Sequence, residues 1–171
     1  LLSDLLCYAS STFNKRIQGI NEGEYYCLQP VVARKITDKE VLRKFLPKDA
    51  KKDAEAWEII DGQQRLTTIS ILLSVLKNEY KDPDFIFNRL LNYESREIST
   101  RTLHQIYNGN IEIENLNPSM ENAYKTIRDY LKKFNDSSKI KNFKIYLLNS
   151  VKILRVKVPK DTDLNHYFEI M

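Results

Sequence analysis

The sequence contains few glycines and prolines, which break helices and strands, and few cysteines and histidines, which form disulfides or bind metals. Four glycines and five prolines among 171 residues leave no stretch that could act as a flexible or stiff linker. Cys7 and Cys27 are too few for a disulfide framework or a zinc site, so we expect buried thiols in a reducing cytoplasm. His104 and His166 have no second ligand at metal-binding spacing, and we expect both to be surface or capping residues.

Other absences exclude functional classes. The chain has no apolar run of about eighteen residues, which argues against a membrane span, and its first residues do not resemble a signal peptide. It has neither a Walker phosphate loop nor a Gly-x-Ser-x-Gly nucleophile elbow. An apolar content of 42% with 29% charged residues indicates a globular chain, long enough for one domain with a buried core.

The most informative stretch runs from Trp57 to Thr68. The apolar run from Trp57 to Ile60 predicts a strand, and Asp61-Gly62 predicts a tight turn with positive φ at the glycine. From Gln64 the spacing predicts a helix. Its expected inward stripe is Leu66, Ile69, Leu72, Leu73, Val75, Leu76 and Tyr80. A strand, a turn and a helix N-terminus in this order favour the binding of an anion.

Two interpretations of the turn remain open. Asp61 and Gln64 have the spacing of a capping box, which would be a purely structural role. Arg65 in the first helical turn lies at the positive end of the helix dipole, which costs about 0.3–1 kcal/mol unless a negative group compensates it. Either Asp61 or a bound phosphate would supply that charge.

The octapeptide Asp61-Gly62-Gln63-Gln64-Arg65-Leu66-Thr67-Thr68 resembles the signature of the ParB/sulfiredoxin-like domain in GmrSD-type modification-dependent restriction systems, which act in phage defence. Residues 25–32 resemble the strand before that signature, residues 91–96 a Tyr-Glu-Ser-Arg element after it, and residues 167–171 a phenylalanine-bearing helix. The sulfiredoxin cysteine is replaced by Gln63 or Gln64, which argues against thiol-based repair chemistry.

The chain also departs from the family pattern. It lacks the Ile-Pro-x-x-Gln-Arg-x-Tyr-x-Trp stretch that contributes to the nucleotide site, and it stops at Met171, where an Asn-x-Arg-Gly segment usually follows. We therefore expect an internal piece of a longer protein. Within it we expect a single domain over residues 1–171, with a nucleotide-site core at 25–80 and a helical insertion or extension at 99–150.

The predicted fold class is α+β, and the resemblance implies a small ParB/sulfiredoxin-like sheet with a mainly helical middle and C-terminal part. Strands over 25–35 and 57–60 are expected to pair as a hairpin-like antiparallel pair, and a strand over 151–158 to return to the sheet, bulged or covered on both faces. Helices are expected before Asn14, from Pro118, over 138–149 and from Thr162, with Asn117 as a cap. A helical turn is expected over 39–45, and a short helix or turn over 83–91 and over 99–107, the last capped by Ser99 or Thr100.

The resemblance implies a nucleotide-binding, NTP-hydrolysing regulatory domain that accompanies an HNH-type nuclease domain. It also implies that NTP turnover is linked to the recognition or cutting of modified DNA, with the cutting done elsewhere in the parent protein. Gly62 and the amides of Gln63 and Gln64 would cradle a phosphate that Arg65 neutralises. Asp61 would hold Mg²⁺ or orient water, and Gln63 would place a water or read a base edge. Further candidate phosphate ligands are Thr67, Thr68 and, by resemblance, Arg96.

A second candidate surface is basic. The residues predicted to contact DNA are Lys125, Arg128, Lys132, Lys133, Lys141 and Lys144. The alternative is an ordinary solvated helix face, since the net charge is only +4. Two other functions stay open for the whole chain: a non-catalytic DNA- or protein-binding module, and a phosphodiesterase that nicks DNA through the signature and loses activity in Asp61→Ala.

Overall fold

The structure is a computed structural model, and it describes residues 26–46, 54–81, 91–111, 115–133, 137–160 and 162–163. Three strands and five helices lie in these ranges. In chain order they are β1 (Tyr26–Lys35), α1 (Lys39–Phe45), β2 (Trp57–Asp61), α2 (Gln63–Tyr80), α3 (Glu97–Asn108), α4 (Pro118–Lys132), α5 (Ser137–Asn149) and β3 (Val151–Lys157).

The strands form one mixed sheet in the order β2-β1-β3, and the fold class is α+β as predicted. Strands β1 and β2 are antiparallel, with Lys35 opposite Trp57. Strand β3 follows the direction of β1, because the hydrogen bonds Tyr26 N–H to Ser150 O and Val158 N–H to Ala33 O ascend both strands together. The predicted antiparallel pair and the return of the late strand are both confirmed.

The pairing of β1 with β2 contains a bulge next to the signature turn. Ala33 lies opposite Ile59, whereas the preceding residue, Val32, lies opposite Asp61, so that Ile60 is an extra residue in β2. A bulge shifts the alternation of side chains by one position. Asp61 is therefore turned to the opposite sheet face from the one that a regular strand would give it.

The described residues divide into two compact units. One, here called the helical unit, contains residues 26–27 and 64–152. The other, here called the sheet unit, contains residues 28–63 and the described residues from 153 onward.

The core of the helical unit is formed by apolar faces of its helices. Helices α3 and α4 pack against each other. The buried apolar residues are Ile71, Leu72, Val75 and Leu76 of α2, Leu103 and Ile106 of α3, Met120, Tyr124, Ile127 and Leu131 of α4, and Ile140, Phe143, Tyr146 and Leu147 of α5. Their spacing at three and four residues on α4 is that of an amphipathic helix, as predicted.

Two helix ends are fixed by specific side chains. Asn117 caps α4, because its Oδ1 accepts hydrogen bonds from the amides of Ser119 and Met120 at 3.1 and 3.2 Å, and Pro118 occupies the first turn. Helix α3 ends at Gly109, with a φ of +77°. Lys77 of α2 donates to the Tyr107 carbonyl at 2.6 Å, which satisfies one of the last acceptors of α3.

Three expectations need correction: the inward stripe of α2, one of the two alternatives given for β3, and the start of α3. On α2 the buried face is centred on Leu72 and Val75, while Leu66 and Leu73 are only half-buried. The apolar spacing of this helix fits two overlapping stripes, and tertiary packing selects one of them. Three apolar side chains of β3 are exposed: Leu154 by 54%, Ile153 by 42% and Val156 by 38%. The strand is therefore not covered on both faces.

The third concerns the start of α3. The helix begins at Glu97, with Arg96 at the cap position and no side-chain cap, so neither Ser99 nor Thr100 is a cap. The Thr100 hydroxyl instead accepts from the Tyr93 amide at 2.7 Å and donates to the Tyr93 carbonyl at 3.1 Å.

Cys27 is exposed, which corrects the expectation of a buried thiol, and His104 is exposed as expected. No helix within the described ranges is long and apolar enough to cross a membrane. Some predictions lie outside the described ranges, in whole or in large part. They are the helix before Asn14, the helix or turn over 83–91, the helix from Thr162 onward, and the predictions for Cys7 and His166.

Candidate functional site

The signature forms the predicted strand, turn and helix. Strand β2 ends at Asp61, Gly62 is buried with a φ of +91°, and α2 begins at Gln63. Only glycine adopts such a φ without strain, which explains the residue at this turn. Asp61 lies two residues before the first helical residue, with Gly62 between them.

The signature residues of the sheet unit are presented to solvent. Asp61 and Gln63 are both exposed. The Gln63 side chain donates from Nε2 to the Ile59 carbonyl at 2.9 Å, which holds the side chain against the end of β2. Asp61 is one exposed carboxylate beside a backbone turn, a group that can hold one position on a hydrated cation.

The signature residues of the helical unit lie along the first two turns of α2. Gln64 is exposed, whereas Arg65, Thr67 and Thr68 are half-buried, and Arg65 Nε itself is shielded from solvent. The Thr68 hydroxyl donates to the Gln64 carbonyl at 2.9 Å. That bond uses the hydroxyl proton, so Thr68 would contribute to a phosphate site only weakly.

Tyr93 joins two of the predicted phosphate ligands. Its hydroxyl shares a hydrogen bond with the Thr67 hydroxyl on α2. Its ring lies beneath the guanidinium of Arg96, whose central carbon is 4.4 Å from the ring centroid. The structure therefore brings Thr67 and Arg96 to the same aromatic side chain, although 29 residues separate them in sequence.

The Tyr-Glu-Ser-Arg element is a turn that leads into α3. The Arg96 amide donates to the Tyr93 carbonyl at 3.4 Å, and Glu94 and Ser95 form the exposed tip. The two bonds between Tyr93 and Thr100 hold this turn from the helix side. Tyr93 has no assigned role among the predicted site residues. Its signal in the sequence was its place at the head of the same motif that contains Arg96.

The basic residues predicted to contact DNA are not equally available. On α4, Lys125 pairs with Glu121 at 2.6 Å and Arg128 lies 3.4 Å from Asp129. Lys132 lies 3.8 Å from Glu79 of α2. These neighbours compensate part of the positive charge that sequence alone suggested.

The other three predicted DNA contacts differ among themselves. Lys133 and Lys141 are exposed, and the Lys133 ammonium is 5.9 Å from the Tyr130 ring centroid. Lys144 is half-buried, and this desolvation lowers the pKa of its ammonium group. The basic face of α4 and α5 is thus a mixed-charge surface with only some exposed cations.

A small cavity lies between α2 and α4. It is lined by Val75, Glu79, Tyr80, Arg128 and Lys132 and has a volume of about 130 Å³. Pockets that enclose drug-sized ligands have volumes of roughly 300–1,000 Å³, so this cavity is too small for a nucleotide.

One buried tyrosine, Tyr124, lies close to this cavity. It donates to Glu79 Oε1 at 3.1 Å, and burial together with this carboxylate raises the pKa of Tyr124 to about 12. The interaction fixes α4 to α2 rather than forming a catalytic pair.

Among the described residues, no group of three or more His, Cys, Asp or Glu side chains is arranged to hold a metal ion. A metal held mainly by a substrate's phosphates needs fewer protein ligands, and Mg²⁺ often takes only one or two carboxylates from the protein. Asp61 fits that lesser requirement.

Comparison of the sequence with known proteins shows which family the chain belongs to. The sequence profile of the family described as "GmrSD restriction endonuclease, N-terminal domain" matches residues 3–171. Comparisons with curated proteins and with solved structures gave no match. Because the matched region covers almost the whole sequence, the chain belongs to the GmrSD restriction endonuclease N-terminal domain family.

Proposed function

We propose that this protein is the nucleotide-binding regulatory part of a phage-defence restriction endonuclease, with a phosphate site at the first turns of α2. The observation that carries the proposal is Tyr93, which contacts Thr67 on α2 and orients Arg96 through its ring. A guanidinium that lies over an aromatic ring is restricted in orientation, and its planar fork of donors matches the geometry of a phosphate.

Each signature residue has a role in this proposal. The amides at Gly62, Gln63 and Gln64 begin a helix, where free N–H groups and the helix dipole favour an anion. Arg65 supplies the charge that offsets the phosphate, and Arg96 supplies a second guanidinium. Because Thr67 is engaged by Tyr93, its role is to position the tyrosine more than to touch the nucleotide.

Asp61 and Gln63 would serve the phosphoryl chemistry. Mg²⁺, when bound with the nucleotide, supplies charge neutralisation at the phosphates, and Asp61 would provide one oxygen ligand to it. Gln63, whose side chain is held by its bond to the Ile59 carbonyl, would place a water molecule. The bulge in β2 supports this assignment, since bulges often redirect a side chain beside an active site.

The nuclease activity itself would reside in an HNH-type domain of the same chain or of a partner, and nucleotide turnover would be coupled to recognition of modified DNA. A direct phosphodiesterase activity of the signature is the competing function. It predicts DNA nicking that disappears in Asp61→Ala.

Thermal unfolding with a panel of nucleoside triphosphates and Mg²⁺ tests the proposal. A nucleotide present at a hundred times its Kd stabilises the folded state by about 2.7 kcal/mol, which for a chain of this size raises the Tm by roughly 5–10 °C. We expect such a shift with at least one nucleotide, its loss in Arg65→Ala, and its retention in the control Arg43→Ala on α1. Absence of a shift with every nucleotide would contradict the proposal and leave a non-catalytic binding module.

A further inference from the structure

One face of the sheet unit carries a cluster of basic and aromatic side chains, here called the basic sheet face: Lys35, Trp57, Arg155 and Lys157, with Glu55 at its margin. Lys35 and Trp57 lie opposite each other on β1 and β2 and share a face of the sheet. The guanidinium carbon of Arg155 on β3 is 3.9 Å from the Trp57 ring centroid, and the Lys157 ammonium is 5.9 Å from it. All three strands therefore contribute to one surface.

Arg155 lies over the Trp57 ring, a contact that restricts the guanidinium. Trp57 is half-buried, whereas Arg155 and Lys157 are exposed. A guanidinium stacked on an indole ring loses rotamer freedom before any ligand arrives, and its donors still point outward from the ring. Such an arginine is preorganised for bidentate hydrogen bonding to a phosphate.

The charge of this face is only partly compensated. Glu55 pairs with Lys35, and this hydrogen bond, followed by weaker contributions from Trp57 and Arg155, lowers the pKa of Glu55. Within the ranges that the structure describes, Arg155 and Lys157 form no ion pair with a carboxylate. By contrast, three of the α4 cations each have an acidic neighbour.

The charged side chains of β3 are all positive, and they lie among exposed apolar ones. The strand reads Val-Lys-Ile-Leu-Arg-Val-Lys and contains no acidic residue. It lies at the edge of the sheet, with every residue after Val151 exposed. An exposed apolar edge strand promotes aggregation unless charged residues or a partner protect it, and here the charges are all positive.

We propose that the basic sheet face binds the phosphate backbone of DNA, with Arg155 and Lys157 as the contacting cations and Trp57 as the residue that positions Arg155. This interaction rests on the restriction function proposed above, but it does not involve the nucleotide site. The contacts would be to phosphates rather than to base edges, so binding would depend on salt more than on sequence.

Trp57 provides a direct reporter, because it is the only tryptophan in the chain. Titration of the protein with a short duplex DNA of arbitrary sequence, without nucleotide, should change the Trp57 emission. Neutralisation of both cations in Arg155→Gln/Lys157→Gln should weaken binding about tenfold and reduce the slope of log K against log salt by about 2. Arg155→Lys should keep the salt slope and lose part of the affinity, because it keeps the charge and loses the stacked plane.

The matched control is Lys39→Gln/Arg43→Gln, which removes the same charge from exposed positions on α1 of the same unit. We expect this control to bind DNA with nearly the wild-type salt slope. Equal losses in both double variants would show that only net charge matters and would overturn the proposal. So would an unchanged Trp57 emission, or a loss of binding in Lys125→Gln/Lys133→Gln with none in the β3 variant. Failure of the nucleotide experiment would leave this result unaffected.

Discussion

At the scale of single residues, Tyr93 makes two separate contacts at the proposed phosphate site: its hydroxyl bonds Thr67, and its ring lies beneath Arg96. Tyr93→Phe removes the hydroxyl and keeps the ring beneath Arg96, whereas Tyr93→Leu removes both. We expect Tyr93→Phe and Thr67→Val each to destabilise the fold by about 1 kcal/mol, with a double variant that costs less than the sum of the two. Only Tyr93→Leu should also weaken nucleotide binding severalfold. Additive costs in the cycle would show that the two hydroxyls do not interact.

A second residue-scale prediction concerns Tyr124. Its pKa is raised from 10 to about 12, so the unfolded state loses the phenolic proton at a lower pH than the folded state. The stabilisation is fully present below about pH 10 and is lost as the pH rises through 12. Tyr124→Phe should cost about 1–2 kcal/mol in urea unfolding at neutral pH, and the gap to wild type should narrow above pH 10. A gap that stays constant up to pH 12 would contradict a raised pKa of Tyr124 in the folded state.

At the scale of secondary-structure elements, the sequence predicted helix boundaries best where a cap was visible. Asn117 and Pro118 identified the start of α4 correctly, because a cap is formed between residues that are close in sequence. The buried face of α2 and the exposure of β3 were not predictable in the same way. Both depend on which other elements pack against the helix or strand, so the burial of Leu66 and Leu154 could not be predicted from the local sequence.

The cap of α4 gives an element-scale prediction with an internal control. Asn117 accepts from two helix amides and also donates from Nδ2 to Ser99 Oγ at 3.2 Å. Asn117→Ala should cost about 1–2 kcal/mol in chemical denaturation, since it removes the cap and the link to α3. Asn117→Asp keeps the acceptor and should cost distinctly less. Equal costs for the two variants would assign the effect to the Ser99 contact instead of the cap.

At the scale of the whole molecule, composition and periodicity were enough to predict an α+β fold with a small sheet and a helical majority, and the structure confirms it. The family followed from eight consecutive residues, Asp61 to Thr68, because a signature of that length is specific. The basic surface could not be located from sequence. The acidic neighbours of Lys125 and Arg128 lie on α4 itself, but only folding brings Glu79 beside Lys132. Arg155 likewise acquires its partner Trp57 from a strand about a hundred residues earlier.

The central claim is that Arg65 and its neighbours at the start of α2 bind a nucleotide phosphate. Isothermal titration of wild-type protein and Arg65→Ala, with Mg²⁺ and the nucleotide that stabilises the fold most, tests it directly. We predict saturable one-site binding by the wild type and a loss of about 2 kcal/mol or more in Arg65→Ala, the order expected for removal of a charge-assisted hydrogen bond. Equal affinity in the two proteins would contradict the account, because the nucleotide would then bind somewhere other than the signature turn.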